Sequence, residues 1–214
     1  MFILLIVTSI LIGYLIGSLN FAIIVCKITG KEDIRHFGSK NAGMTNMLRT
    51  YGKGAAAATL AGDITKGAAA ILICWLLFYL LKMDRPVWLD YAVGFAAILG
   101  HSFPVFYQFR GGKGVLMALG IIALLTPVPT IFTFAVFLII LACTKIVSIS
   151  SIISCASAPL WIGLYGYFTH DPDVLTKVIC TVIMAGFIII MHHANISRLI
   201  KGEEHSFSSS KKDK

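Results

Sequence analysis

Charge is scarce in this chain. Of 214 residues only 13% are charged, and acidic residues number ten. A soluble domain carries roughly 25% charged residues, so an ordinary soluble enzyme is disfavoured from the start. The acids are scattered, which excludes a carboxylate cluster for magnesium or two-metal chemistry. The five cysteines lie in or at the edge of apolar runs and form no C-x-x-C pair. They read as small core residues and not as a disulfide framework or a zinc site. Also missing are H-E-x-x-H, G-x-S-x-G and a histidine followed five residues later by aspartate. With 57% hydrophobic residues, the chain has too much apolar content for disorder.

What is present is long uncharged stretches. Residues 1–26, 67–81 (extended back through the Ala-rich 54–62), 91–109, 114–144, 146–170 and 178–197 are each long enough, or nearly so, to reach across hydrocarbon about 30 Å thick. Backbone groups in lipid must bond within their own segment, so these stretches are expected to be helices. The N-terminal stretch has no basic region ahead of it and is too long for a signal-peptide core, so it reads as a retained first span.

The loops set an expected direction. Residues 27–53 carry six cations (Lys27, Lys31, Arg35, Lys40, Arg49 and Lys53) against Glu32 and Asp33. By the positive-inside rule this loop is cytoplasmic and the N-terminus lies outside. The tail also holds basic residues, among them Arg198 and Lys201, so parity requires an even count between them. The motif Thr126-Pro127-Val128-Pro129 supplies it by interrupting 114–144, because proline removes a donor and disfavours helix at the residue before it. Two short helices, near 115–126 and 129–144, then enter and return on one side. The expected fold is an all-α integral membrane protein of about seven helices, with five full crossings plus a Pro-broken helical pair. A kinked full span with the tail outside is the rival. Residues 1–205 are expected to form one domain, and 206–214 a disordered polar tail. Net charge is +8, which reads either as topology and attraction to anionic lipid or as an anionic substrate, and composition does not choose between them. Nucleic acid is not an expected partner, since no basic stripe interleaved with aromatics lies outside the apolar segments.

Three polar clusters stand against this apolar background, and the expected topology puts all of them at the cytoplasmic face. The first is Asp33 through Asn46, with Arg49 beyond. Gly, Ser, Asn and Thr alternate there with cations, a mixture suited to a phosphate cage built from amides, hydroxyls and guanidinium; a solvated positive loop is the plain alternative. The second is Arg110-Gly111-Gly112-Lys113-Gly114 ahead of an apolar helix. Its glycines allow close backbone approach to an anion, and the helix N-terminus adds partial positive charge. The spacing is not that of a Walker A loop, and a tight turn between spans would need no more. The third is Met191-His192-His193-Ala194-Asn195-Ile196-Ser197-Arg198, where His192 and Asn195 are three apart. His193 reads as an interfacial residue, and His101 as an intramembrane histidine bonded to a neighbouring helix. Asp63 and Lys66, at i and i+3, are expected to neutralise each other or to anchor the first loop.

At these residues the chain resembles the bacterial acyl-phosphate:glycerol-3-phosphate acyltransferase family. The carrying pieces are D-I-R-x-x-G-S-x-N-x-G-x-T-N at 33–46, L-R-x-x-G-K at 48–53, D-I-x-K-G at 63–67, G-H-x-F-P-V-F at 100–106, G-G-K-G-V at 111–115 and H-x-x-N-I-x-R-L at 192–199. The resemblance implies a multi-pass enzyme of the bacterial inner membrane that moves an acyl group from acyl phosphate to the sn-1 hydroxyl of glycerol 3-phosphate. The products would be lysophosphatidic acid and phosphate, at the first step of phospholipid synthesis. It implies phosphate binding by Arg35, Ser39, Asn41, Thr45, Asn46, Gly111, Gly112, Lys113 and Gly114. By the same resemblance Ser39, Lys113, His192 and Asn195 are expected to take part in catalysis, and Glu204 matches the trailing acid of the third motif. Members commonly have R-H-R-E-N where this chain has Met191-His192-His193-Ala194-Asn195. Glycerol 3-phosphate, acyl phosphate and membrane lipid are the expected ligands, with no cofactor or metal and a monomeric chain. A transporter of phosphate esters is the rival from another class.

Overall fold

The computed structural model describes residues 1–204 and 206; the expected polar tail beyond Ser206 lies outside the described residues. The chain forms two compact units, Met1–Leu125 and Thr126–Lys214. Among the described residues every regular element is helical, with nine α-helices and two single 3-10 turns. Five stretches are long and apolar enough to cross a bilayer, and the bent pair at the N-terminus makes a sixth. The protein is an all-α integral membrane protein.

The first unit holds α1 (Phe2–Gly17), α2 (Phe21–Ile28), α3 (Met44–Leu80), α4 (Val87–Ser102) and α5 (Val115–Leu125). The stretch expected to be one span is broken at Ser18–Asn20, and α1 and α2 meet at 46°. The cause is local. Ser18 Oγ turns back to Tyr14 O at 2.9 Å, and Asn20 Oδ1 accepts the Ile23 amide at 3.2 Å, which caps α2. α3 is likewise interrupted at Gly52, whose φ of +84° no helix contains.

Close packing in this unit relies on missing side chains. α1 lies on α4, and α3 contacts α1, α2, α4 and α5. A Cβ on Gly17 would land on Ala97 O, one on Gly100 on Tyr14 O, and one on Gly120 on Ile64 O. Between membrane helices such small-residue contacts replace the hydrophobic drive that lipid removes. α4 stops at Ser102 because Pro104 follows, and a 3-10 turn over Val105–Tyr107 leads into left-handed Gln108 and Phe109.

The second unit holds α6 (Pro127–Thr144), α7 (Val147–Phe168), α8 (Val174–Met191) and α9 (His193–Ile200). α6 packs on α7 and α7 on α8, through a two-residue turn at left-handed Lys145 and a longer one at 169–173. Phe132 and Trp161 stack at 5.3 Å between α6 and α7. The buried face of α7 carries Ser148, Ser150, Ser151 and Ser154. The last three return their hydroxyls to carbonyls of their own turn, which removes the cost of burying them. At 169–173 the Asp171 carboxylate pairs with Lys177, and this bond holds its pKa below the ordinary value.

The Pro-containing break falls where the sequence puts it, between α5 and α6, but the two helices are unequal. Pro127 is the first residue of α6, a position whose amide needs no partner, so Pro129 lies inside the helix instead of opening it. At about 1.5 Å per residue, α5 runs roughly 16 Å and α6 roughly 27 Å, so α6 by itself has the length of a span. The two helices beyond the expected seven come from the break at Ser18–Asn20 and from a second one at His192, which divides α8 from α9.

Candidate functional site

The first unit gathers the first two polar clusters. Asp33 caps the 3-10 turn Ile34–His36 by accepting the Arg35 amide at 3.0 Å. The Arg35 guanidinium closes back on the same carboxylate through Nε at 3.1 Å and Nη2 at 2.8 Å. Its remaining edge crosses to the turn after α4, where Nη1 donates to Tyr107 O at 2.7 Å and to Arg110 O at 3.1 Å. Burial pushes the Asp33 carboxyl up, but the Arg35 bonds outweigh it and leave the group below its usual range. Arg35 thus spends most of its donors joining the first cluster to the second.

Asn46 organises the loop from inside. It is buried in the first turn of α3. Its Nδ2 reaches Phe37 O at 2.9 Å, Asn41 O at 3.1 Å and Ile34 O at 3.3 Å. Its Oδ1 accepts the Ser39 amide at 3.2 Å. One side chain therefore shapes the backbone that carries Ser39 and Asn41. Gly38, left-handed at φ +53°, leaves room for that Oδ1, on which a Cβ would fall. Ser39 is exposed, while Asn41 and Thr45 are half-buried.

The glycine-rich segment folds back on the end of α4. Gly111 N donates to Ser102 O and Gly112 N to His101 O, both at 3.1 Å. Gly112 is wedged between two partners: its Cβ would strike His101 Nε2 and would lie 2.9 Å from Ala42 O. Gly114, left-handed at φ +84°, turns the chain into α5. Lys113 is half-buried between these glycines. The sequence did not single out Asn20, yet it holds the first cluster from below, with Nδ2 donating to Ala42 O at 3.4 Å. Its signature was legible as an N-cap residue set before an apolar run.

Beneath the glycines lies a buried polar group. Lys66 Nζ pairs with Asp63 Oδ1 at 2.7 Å, as the spacing predicts. It also donates to Leu19 O at 2.8 Å and meets His101 Nδ1 at 2.9 Å. All three residues are at most 4% exposed.

The third cluster belongs to the second unit. His192 is buried, and its Nδ1 lies 2.7 Å from Ile188 O. A carbonyl only accepts, so Nδ1 carries a proton toward Ile188 O. His193 is exposed, as expected for an interfacial residue. Asn195 Nδ2 donates to Glu204 Oε1 at 2.6 Å. The same carboxylate takes Ser148 Oγ at 2.9 Å and Arg198 Nε at 2.7 Å. Burial raises the Glu204 pKa, but the Arg198, Asn195 and Ser148 bonds more than offset that and leave it lowered. Sequence proximity alone did not reveal Ser148 as a member, because it lies 56 residues away.

Comparison with known proteins finds relatives along most of the chain. The family model described as glycerol-3-phosphate acyltransferase matches residues 7–202. A glycerol-3-phosphate acyltransferase of Trichlorobacter lovleyi is 40% identical over 92% of this chain and 95% of its own. One of Neisseria gonorrhoeae is 37% identical over 92% and 95%. Among solved structures, the glycerol 3-phosphate form of PlsY (YgiH), an integral membrane glycerol 3-phosphate acyltransferase, superimposes with a TM-score of 0.81 at 33% identity. That match covers 95% of this chain and 96% of that one. The lysophosphatidic acid form gives 0.79 at 32% identity. The motifs, the all-helical membrane fold and these relatives together place the chain in the glycerol-3-phosphate acyltransferase family.

Proposed function

We propose that this protein acylates the sn-1 hydroxyl of glycerol 3-phosphate with acyl phosphate as donor, releasing lysophosphatidic acid and inorganic phosphate. The observation that carries the reading is the convergence of the first motif on the glycine-rich segment. Arg35 bonds to Tyr107 O and Arg110 O, and Gly112 abuts Ala42. Two loops that each suit a phosphate are thereby held together. The likeness to PlsY structures in glycerol 3-phosphate and lysophosphatidic acid forms supports the choice of acceptor and product.

The reaction joins two phosphate anions, so the site has to offset their repulsion. Lys113 brings a full positive charge, and the Gly111–Gly114 backbone allows close approach. Ser39, Asn41 and Thr45 contribute hydroxyl and amide donors, while Asn46 and Arg35 hold the loops in shape. Acyl phosphate is already activated, so no covalent enzyme intermediate is required. The hydroxyl oxygen attacks the acyl carbonyl, the bond from carbonyl carbon to phosphate oxygen breaks, and phosphate leaves with the electron pair. Holding the two reactants in register can contribute about 7–11 kcal/mol in well-oriented systems. Lys113 or backbone amides would stabilise the developing oxyanion. The proton goes to His192, which the sequence pattern assigns to the reaction, or to a phosphate oxygen of the donor. The sequence pattern assigns Asn195 to the same reaction. We place the protein in the bacterial inner membrane, with its N-terminus outside and the polar motifs cytoplasmic, on the distribution of basic residues.

The test is an assay of purified protein with palmitoyl phosphate and labelled glycerol 3-phosphate, with acyl-CoA and acyl carrier protein donors in parallel. Lysophosphatidic acid from acyl phosphate alone is the expected result. Product only from a thioester donor would overturn the donor, and no product from folded protein would overturn the reaction. Lys113→Ala should remove nearly all turnover while leaving the protein folded; near-normal activity would refute its role.

A further inference from the structure

The buried group Asp63–Lys66–His101 is more than charge neutralisation within the membrane. An ammonium has three donors and no lone pair. Lys66 directs them to Asp63 Oδ1 at 2.7 Å, Leu19 O at 2.8 Å and His101 Nδ1 at 2.9 Å. Toward Lys66, then, Nδ1 of His101 accepts, and the neutral ring carries its proton on Nε2. That Nε2–H has no partner among the described residues, although the side chain is only 5% exposed. Nε2 is set against Gly112, at the position a Cβ would occupy. The next residue is Lys113. What stands beside Nε2 is the bare backbone of Gly112, with no side chain to cover it. The geometry is that of a donor held ready for an acceptor arriving at the glycine-rich segment.

We infer that His101 is a substrate-binding residue whose Nε2–H donates to an anionic oxygen held at Gly111–Gly114, with Asp63 and Lys66 as positioning residues that select its tautomer. The chemical class is a phosphate monoester or an acyl phosphate, and which of the two is a matter for the arms of the test. The inference rests on the acyltransferase reading given above. It adds a third kind of donor to that site, one supplied from inside the membrane-spanning region. It also gives a reason for glycine at position 112: any side chain there would displace the imidazole.

Two replacements separate the two ends of the ring. In His101→Asn the amide oxygen sits near the place of Nδ1 and can still accept from Lys66, but nothing replaces Nε2–H. In His101→Gln the amide reaches the place of Nε2. Equilibrium binding of labelled glycerol 3-phosphate, and KM and kcat with palmitoyl phosphate, are measured for wild type and both variants in detergent, beside their thermal unfolding. His101→Asn should melt close to wild type yet weaken one of the two phosphate ligands by roughly 10- to 100-fold, the range for a hydrogen bond to a charged group. His101→Gln should recover part of that loss. The ligand whose constant moves is the one His101 touches. Wild-type binding and turnover in His101→Asn would overturn the inference, as would a loss in both variants that merely tracks their melting temperatures. Wild-type protein that acylates glycerol 3-phosphate while His101→Asn does so equally well refutes only this assignment; inactive wild type refutes the acyltransferase reading itself.

Discussion

Asn46→Asp is the sharpest probe of the first motif, because it keeps the shape of the side chain and replaces its donors with an acceptor. Asn46 Nδ2 now serves three carbonyls, of Ile34, Phe37 and Asn41, at 2.9–3.3 Å. Two N–H groups make at most two full hydrogen bonds, the third being shared. Their net loss is about 1 kcal/mol each. The carboxylate then sets an acceptor against acceptors, in a site where the residue is 2% exposed. Leaving those groups unsatisfied adds about 1–3 kcal/mol, so the total is roughly 3–5 kcal/mol against the ordered loop. At 1.4 kcal/mol per decade, an ordered fraction near unity falls by two to three orders of magnitude less whatever margin the loop holds. Only the loop bears the cost, since the helices do not depend on these bonds. Hydrogen exchange should therefore show faster exchange at the Ser39 amide, whose acceptor is Asn46 Oδ1 at 3.2 Å. Thermal unfolding of the helices should change little, and acyl transfer should drop in parallel with the exchange. Wild-type exchange at Ser39 together with wild-type turnover would refute the assignment of Asn46 as the loop's internal brace.

Three further outcomes follow from the geometry. Glu204 has its pKa lowered, so the stability it lends by tying Ser148, Asn195 and Arg198 together is fully present above its ordinary value of 4.5. That stability is lost as pH falls through the depressed folded value. Proteolysis at 198–204 should accelerate on that acid limb, and Glu204→Gln should show the faster cleavage at neutral pH with a flat profile. Gly100→Val drives a side chain into Tyr14 O and should lower stability in detergent by about 1–3 kcal/mol or more. Gly186→Ala, with nothing within 4 Å, should melt like wild type, and equal melting of the two would contradict the close α1–α4 packing. Lys66→Met strands the Asp63 carboxylate in a 2% exposed position and should cost about 3–5 kcal/mol. Adding Asp63→Asn should return part of that, and a double variant no better than the single would argue against a coupled pair.

Much of this was readable before any coordinates, and the reason is physical. In lipid a backbone has few options, so uncharged length alone implies helix, and proline beside threonine implies a break at Thr126–Pro127. The pair Asp63 and Lys66 was readable because i and i+3 is a helical neighbour distance, and the motifs at 33–46, 111–115 and 192–199 carried the family resemblance. The breaks at Ser18–Asn20 and at His192 were not anticipated, because capping by Asn20 and the bend at the end of α8 show no interruption in hydropathy. The roles of Arg35 and Asn46 were also not readable. A cation or an amide in a polar loop offers the same donors to a ligand or to the loop's own carbonyls. Only the folded chain shows that Arg35 spends them on Asp33, Tyr107 and Arg110, and Asn46 on Ile34, Phe37 and Asn41. Composition and motif order by themselves determined that this is a helical membrane protein of a recognisable family. Tertiary structure decided which polar residues spend their hydrogen bonds on the protein itself. Hydrogen-bond partners 35 to 75 residues apart, such as Lys66 with His101 and Arg35 with Arg110, are set by how helices pack and not by local spacing.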